Sequence, residues 1–141
     1  MIVFDTNVVS ELMKSSPSPV VATWMSRLAA DDLCTTTITV AEVLYGIEIL
    51  PKSKRHDQLL HQAESTFVLE FGDRVLPFDE RAAHVYARIA SDRRRSGRPI
   101  AFADAQIAAI VRARGATLAT HNTDDFEGCG LRLVNPWKEG S

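Results

Sequence analysis

The sequence predicts an α/β domain, with a parallel sheet covered by helices on both faces. Short strand-like runs alternate along the chain with helix-like segments, which is typical of this class. The first run, at residues 2–4, is apolar throughout, as expected for a buried parallel strand. With 141 residues and 45% hydrophobic content, the chain has enough apolar material for one compact domain spanning residues 1–141.

Each element follows from a local pattern. Strands are expected at residues 2–4, 33–38, 74–78, 117–120 and, as a candidate fifth, 131–134. Helices are expected from about residue 8, over 20–30, from 39 to 51, over 54–71, from 79 into the basic stretch 92–98, and from about 99 to 115. Asp79 is the expected cap of the helix that follows it, and Gly115 ends the last of these helices. The helix that opens at Thr39 is apolar almost all round, which predicts that it is buried.

Composition excludes several classes of protein. The net charge of −2 gives no overall attraction to nucleic acid or to an anionic membrane, so any such contact requires a local patch. Cys34 and Cys129 are far apart and form no C-x-x-C pattern, which indicates reduced thiols. No signal peptide and no run long enough to cross a bilayer is visible. We therefore expect a cytoplasmic protein with no membrane contact.

Acidic residues interrupt apolar segments at four places. They are Asp5, Glu42, Asp104 and the adjacent pair Asp124 and Asp125. Most of them follow predicted strands, and the carboxyl ends of parallel strands meet at one edge of a sheet. Grouped carboxylates in apolar surroundings are costly unless a cation neutralises them. Because the four histidines lack zinc-type spacing, hard oxygen ligands favour Mg²⁺ or Mn²⁺.

Each acid also has a simpler interpretation. Asp5 has the position of an ordinary helix N-cap. Thr39 and Glu42 have the spacing of a capping box, in which Glu42 would bond the Thr39 backbone. One of Asp124 and Asp125 is equally well explained as a solvated turn residue. Asp104 has no capping partner at the usual spacing, so a functional role is favoured there.

A basic run lies just before the Asp104 segment. It consists of Arg93, Arg94, Arg95 and Arg98. Such a run is either a solvated helix end or a contact for RNA phosphates. The sequence does not decide between these two interpretations.

The acidic motifs occur in a characteristic order. They are Asp5-Thr6-Asn7 after a strand, Thr39-Val40-Ala41-Glu42, Ala103-Asp104-Ala105-Gln106-Ile107-Ala108, and Thr120-His121-Asn122 followed by Asp125-Phe126. This set resembles the PIN-domain ribonucleases of the VapC toxin type over essentially the whole chain. The terminal Asn135-Pro136-Trp137 is similar to the branch typified by the FitB trafficking proteins.

The resemblance implies a fold, an activity and partners. The fold is a parallel sheet in the order 3-2-1-4-5. The activity is a Mg²⁺- or Mn²⁺-dependent endoribonuclease, the toxin of a type II toxin–antitoxin system. The partners are RNA, a small antitoxin and a second copy of the chain, with DNA bound only through the antitoxin.

The resemblance also assigns roles to individual residues. Catalytic roles fall to Asp5, Glu42, Asp104 and Asp125, with Asp5 and Asp104 holding the metal, while Thr6, Thr120 and Asn122 support these ligands. Many relatives have aspartate where this chain has Asn122, which contributes no charge. The number of metals and the level of activity therefore stay open.

Two other functions fit the same sequence. One is a weakly active or inactive dimerising subunit of a DNA-binding repressor complex, which the FitB-like ending and Asn122 favour. The other is a phospho-acceptor receiver domain, but the paired acidic cluster and the lysine of that class are missing. Several apolar side chains are either core or a groove for an antitoxin segment. They are Val20, Trp24, Leu28, Tyr45, Leu59 and Leu60.

Overall fold

The computed structural model describes residues 1–139 and confirms the predicted α/β class. The five strands are β1 (Ile2–Phe4), β2 (Leu33–Thr36), β3 (Val75–Leu76), β4 (Thr117–Ala119) and β5 (Arg132–Val134). They form one sheet in the order β3-β2-β1-β4-β5, and every neighbouring pair is parallel. Residues 140–141 of the expected domain lie outside the described residues.

The helices lie between the strands. They are α1 (Thr6–Leu12), α2 (Pro19–Ser26), α3 (Thr37–Glu48), α4 (Lys54–Thr66), α5 (Glu80–Arg95), α6 (Phe102–Ala113) and α7 (Pro136–Glu139). A π-helical turn, Phe67–Phe71, continues α4, and short 3₁₀ turns occupy Ala30–Asp32 and Thr123–Phe126. No helix in the described part of the chain is both long and apolar enough to cross a membrane.

The sheet has a separate hydrophobic core on each face. Val3 of β1 belongs to the core beneath α5 and α6, whereas the next residue, Phe4, belongs to the core beneath α1 to α4. This alternation along one strand is what burial on both faces requires. Phe4 packs against the rings of Trp24 and Phe71, with centroids 5.7 and 5.9 Å apart.

Most of the candidate groove residues belong to that second core. Trp24 is only 7% exposed, so the simpler interpretation of this residue is correct. Leu28, Leu59 and Leu60 are partly buried against the same cluster. Tyr45, by contrast, is 67% exposed on α3.

The predicted capping box at Thr39 is not formed. The N-cap of α3 is Thr36, whose side-chain oxygen accepts a hydrogen bond from the Thr39 backbone N–H at 3.0 Å. The helix therefore begins earlier than predicted, and Glu42 is free of any capping role. The prediction of a fully buried α3 is also wrong, because Tyr45 and Glu42 are exposed while Val43 and Ile47 are buried.

Other bounds differ by a few residues for local reasons. Helix α1 starts at Thr6 rather than near residue 8, because Asp5 is its N-cap. Helix α2 ends at Ser26, four residues before the predicted end, and a separate 3₁₀ turn begins at Ala30. The cap predicted at Asp79 is confirmed, since its carboxylate accepts from the Ala82 N–H at 2.9 Å.

Candidate active site

The predicted acidic residues meet at the carboxyl edge of the sheet. Strands β1, β2 and β4 are parallel neighbours, so the segments that follow them leave at the same edge. The Asp5 backbone N–H donates to the Ala119 carbonyl at 3.0 Å, which fixes the end of β1 against β4. Asp5 and Thr120 are thereby adjacent at this edge.

Asp5 is buried and held by three donors. It is 4% exposed, and its carboxylate accepts from the Thr120 hydroxyl at 2.7 Å, the Thr6 N–H at 2.8 Å and the Asn7 amide at 3.2 Å. Burial is the largest influence and raises the pKa of Asp5, with a further increase from the charge of Glu42. The hydrogen bonds act in the opposite direction but do not cancel the increase.

Glu42 is exposed and is positioned by a threonine of another helix. The Thr6 hydroxyl donates to Glu42 Oε1 at 2.6 Å. The buried Thr39 hydroxyl lies 3.3 Å from the same Thr6 oxygen. Thr6 therefore connects α1 to α3 and directs Glu42 towards the edge that carries Asp5.

Asp104 is half-buried in the first turn of α6, and within residues 1–139 its carboxylate has no hydrogen-bond or ion-pair partner. Its pKa is raised to about 6, mainly by burial and then by repulsion from Asp5, Asp125 and Glu42 in that order, against a smaller opposing effect of Arg93. All four acids thus lie within electrostatic reach of one another.

The fourth acid lies on the short turn after β4. Asp125 is exposed in the 3₁₀ turn Thr123–Phe126, and its backbone N–H donates to the Asn122 carbonyl at 3.0 Å. The Asn122 N–H in turn donates to the Thr120 hydroxyl at 3.1 Å. Thr120 therefore connects the turn of Asp125 with the carboxylate of Asp5.

Asn7 also belongs to the site, although the sequence pattern did not predict it. Its amide nitrogen donates to Asp5, and its amide oxygen accepts from the His121 N–H at 2.9 Å. Asn7 therefore joins the segments that follow β1 and β4. Its position in the sequence could have indicated this role. Asn7 lies in the first turn of the helix, two residues after the buried N-cap Asp5, and so close to the same edge of the sheet.

The basic run separates into one buried and three exposed arginines. Arg93 is 7% exposed, and its guanidinium donates to the carbonyls of Arg98 at 2.7 Å, Asp125 at 2.9 Å and Glu127 at 3.1 Å. These bonds hold the turn of Asp125 against the end of α5. The expected contact between Arg93 and RNA stays a prediction, and the burial of its side chain and the use of Nε and Nη1 within the protein argue against it.

The donor set fits a magnesium-type cation more closely than a transition metal. Among the described residues, no three histidine, cysteine, aspartate or glutamate side chains converge into a complete ligand cage. Mg²⁺ does not need one, because it is usually held by one or two carboxylates and completes its octahedron with water. Asp5 and Asp104 are the two carboxylates that could serve in this way. None of the ion pairs within residues 1–139 neutralises them.

The raised pKa of Asp104 predicts a pH-dependent cost to stability without metal. The folded-state pKa is about 6 against an ordinary value of 3.8, so the folded state holds this proton more tightly than the unfolded state. The protonated Asp104 therefore contributes to the free energy of unfolding. This contribution is complete below about pH 3.8 and is lost as the pH rises through about 6. Asp104→Asn cannot ionise, so we expect it to melt above the wild type at about pH 7.5, with the difference closing towards about pH 4.

Thermal melts in a chelating buffer across this pH range measure the effect. Asp73→Asn is the matched control, because Asp73 is almost fully exposed and lies before β3, at the opposite edge of the sheet. Identical melting temperatures for Asp104→Asn and wild type at every pH would contradict the prediction.

The fold and the site define a class of protein. It is a parallel α/β domain whose sheet is covered by helices on both faces and carries an acidic site at its carboxyl edge. A PIN domain matches residues 2–128. The chain belongs to the PIN domain family.

Three similar proteins extend this match to nearly the whole chain. The plasmid stability protein StbB of Pseudomonas syringae pv. tomato is 41% identical, over 98% of this chain and 99% of that protein. The VapC ribonuclease Y4jK of Sinorhizobium fredii is 39% identical over the same shares. The toxin FitB of Neisseria gonorrhoeae is 37% identical, over 99% of this chain and 100% of that protein.

Solved structures agree with this relationship. The crystal structure of FitAcB from Neisseria gonorrhoeae matches with a TM-score of 0.90 at 37% identity, covering 98% of this chain and 99% of that chain. A structure of FitAB bound to an IR36 DNA fragment gives a TM-score of 0.89, covering 97% of this chain and 96% of that chain. The sheet order expected from the resemblance is confirmed.

Proposed function

We propose that this chain is a metal-dependent endoribonuclease and the toxin of a type II toxin–antitoxin system. One observation carries the proposal: four carboxylates share one edge of the sheet without a pairing cation, where burial and the other three acids raise the pKa of Asp104. Membership of the PIN family, and relatives named as a VapC ribonuclease and a toxin, support it. A ribonuclease of this family implies a divalent metal.

We assign the metal as Mg²⁺ or Mn²⁺, held directly by Asp5 and Asp104. Glu42 and Asp125 would orient the water around it or hold a second ion. A divalent cation supplies an acidified water and neutralises charge on the phosphate during in-line attack. Asn122 takes a place where many relatives carry an acid, so the negative charge that attracts a second ion is smaller here.

The protein's own part is to hold the ligands in place. Thr120 and Asn7 donate to one oxygen of Asp5, and the Thr6 N–H donates to the other, so the carboxylate is held in one orientation. Thr6 does the same for Glu42. These supporting bonds restrict the carboxylate rotamers, as metal sites require of the groups around their ligands.

Three exposed arginines are the proposed RNA contacts. Arg94, Arg95 and Arg98 lie at and beyond the end of α5, next to the turn that carries Asp125. They would bind phosphates without reading bases. Single-stranded or loop RNA suits the site, because its backbone bends more easily than that of a duplex.

Arg94→Ala combined with Arg95→Ala should weaken RNA binding to a similar degree for all sequences. Removing two phosphate contacts reduces the slope of log affinity against log salt by roughly 1.4 for a single strand. Binding isotherms at several salt concentrations measure this slope. Arg27→Ala with Arg114→Ala is the matched control, because both residues are exposed and their helices lead to the amino edge of the sheet. An unchanged slope with altered cleavage positions would instead indicate base recognition.

We also propose a small antitoxin partner, a homodimer and a cytoplasmic location. The structure of FitAB bound to a DNA fragment supports the partner, and we propose that this chain reaches DNA only through its antitoxin. The exposed side chains of Tyr45, Ile49 and Leu69 offer apolar surface for association. The free, buried thiols of Cys34 and Cys129 suit a reducing compartment.

Cleavage by the purified chain tests the proposal. The isolated protein should cut single-stranded RNA with Mg²⁺ and stop when a chelator is added. The antitoxin encoded beside the gene of this chain should co-purify with the chain and inhibit it. The alternative is a non-enzymatic subunit of a repressor complex, which the uncharged Asn122 favours. A folded protein that binds metal and joins its partner on DNA but does not cut RNA would support that alternative.

A further inference from the structure

We propose that His121 and Trp137 form a stacking platform for one unpaired RNA base beside the acidic site. The inference rests on the proposed ribonuclease function and specifies its substrate. The two rings are stacked, with centroids 4.2 Å apart and planes 18° from parallel. Trp137 covers one face of the imidazole, and His121 is exposed. His121 lines an open groove, and within residues 1–139 no second aromatic ring stacks on its imidazole, so we infer that the other face can take a planar ligand.

The platform is held from both sides. Asn135 is 9% exposed, and its amide oxygen accepts from the Trp137 N–H at 3.0 Å while its amide nitrogen donates to the His121 carbonyl at 3.4 Å. The His121 N–H donates to Asn7, which also binds Asp5. The ring pair is therefore fixed relative to the acidic site before any substrate arrives, which lowers the entropic cost of binding a base.

An open groove of about 320 Å³ lies next to this platform. His121, Asn122, Thr123, Asp125 and Asn135 are among its lining residues. Asp125 is thus shared between the groove and the acidic site. A base in this groove would belong to a nucleotide flanking the phosphate that is cut.

The chemistry of the groove favours a base over a phosphate. Two carboxylates, Asp124 and Asp125, and one ammonium group, Lys138, line the groove, so its net charge is negative and disfavours phosphate. Amide, hydroxyl and carboxylate groups hydrogen-bond to base edges. A paired base stays stacked within its duplex, so the platform selects single strands and loops.

Binding of labelled hexacytidylate tests this without cleavage. All proteins carry Asp104→Asn, and fluorescence anisotropy gives Kd. His121→Ala should raise Kd about tenfold, within the range of base stacking on aromatic side chains. His121→Phe keeps a stacking ring and should stay within about twofold of the parent. His121→Ala that binds as tightly as the parent, or His121→Phe that loses as much as His121→Ala, would overturn the proposal.

A second experiment uses hexacytidylates in which one nucleotide lacks its base. The parent protein alone gives the main result, so the test works even if His121→Ala fails to fold. Loss of the base at one position should weaken binding about tenfold, and where His121→Ala does fold, it should cause no further loss with that hexamer. Equal losses at every position would overturn the proposal. Failure of the proposed ribonuclease function would be a separate result. If the wild type cuts no RNA but still binds in a base-dependent way, the proposed activity is wrong and the proposed platform is supported.

Discussion

Asp104→Ala is expected to lower the rate of RNA cleavage about a thousandfold while leaving the fold intact. The loss corresponds to about 4 kcal/mol of transition-state stabilisation, the scale expected when a ligand of the catalytic metal is removed. The fold should survive because the ionised Asp104 is buried among like charges and has no hydrogen bond within the described residues. Removing it relieves repulsion rather than breaking a contact.

Single-turnover cleavage at saturating protein measures this effect on the chemical step alone. Asp73→Ala removes the same charge from the opposite edge of the sheet and should cleave at the wild-type rate. A circular dichroism spectrum and melting curve confirm the fold of each variant. A folded Asp104→Ala protein that cleaves as fast as wild type would refute its role.

Mg²⁺ should raise the melting temperature, and Asp5→Asn with Asp104→Asn should abolish the rise. A ligand that binds only the folded state stabilises it by about 2.7 kcal/mol at a free concentration roughly 100 times its Kd. The two substitutions remove both proposed ligands but keep side chains of the same shape. They also relieve repulsion, so the double variant should start from a higher melting temperature without metal.

The control for this effect is Asp31→Asn with Asp73→Asn, since both residues are exposed and precede β2 and β3 at the amino edge. This variant should keep the full response to Mg²⁺. Titration calorimetry gives the affinity directly. A double variant at Asp5 and Asp104 that still responds like wild type would place the metal elsewhere.

The sequence predicted the parts of the fold that depend on local pattern. The apolar run before Asp5 indicated a buried strand, and the cap at Asp79 followed from its position before an amphipathic helix. The meeting of the acids at one edge followed from the parallel arrangement alone. The strand order came from the family resemblance, because hydrophobic pattern does not specify which strands are neighbours.

The features that the sequence did not predict depend on tertiary structure rather than on local pattern. Thr36 and Thr39 both have the chemistry of an N-cap, and the length of β2 decides between them. Arg93 looks like its exposed neighbours in sequence, but helical phase turns it inward to the carbonyls of the Asp125 turn. The stack of His121 on Trp137 requires the chain to return after β5, which no local pattern shows.

The most direct test of the metal centre is a crystal structure with Mn²⁺, read from anomalous diffraction. We expect one strong peak at the carboxyl edge of the sheet, within ligand distance of both Asp5 and Asp104, with water completing the octahedron. The peak should disappear in Asp5→Asn with Asp104→Asn. A peak at another position, or none at millimolar Mn²⁺ with the acidic edge open to solvent, would contradict the assignment.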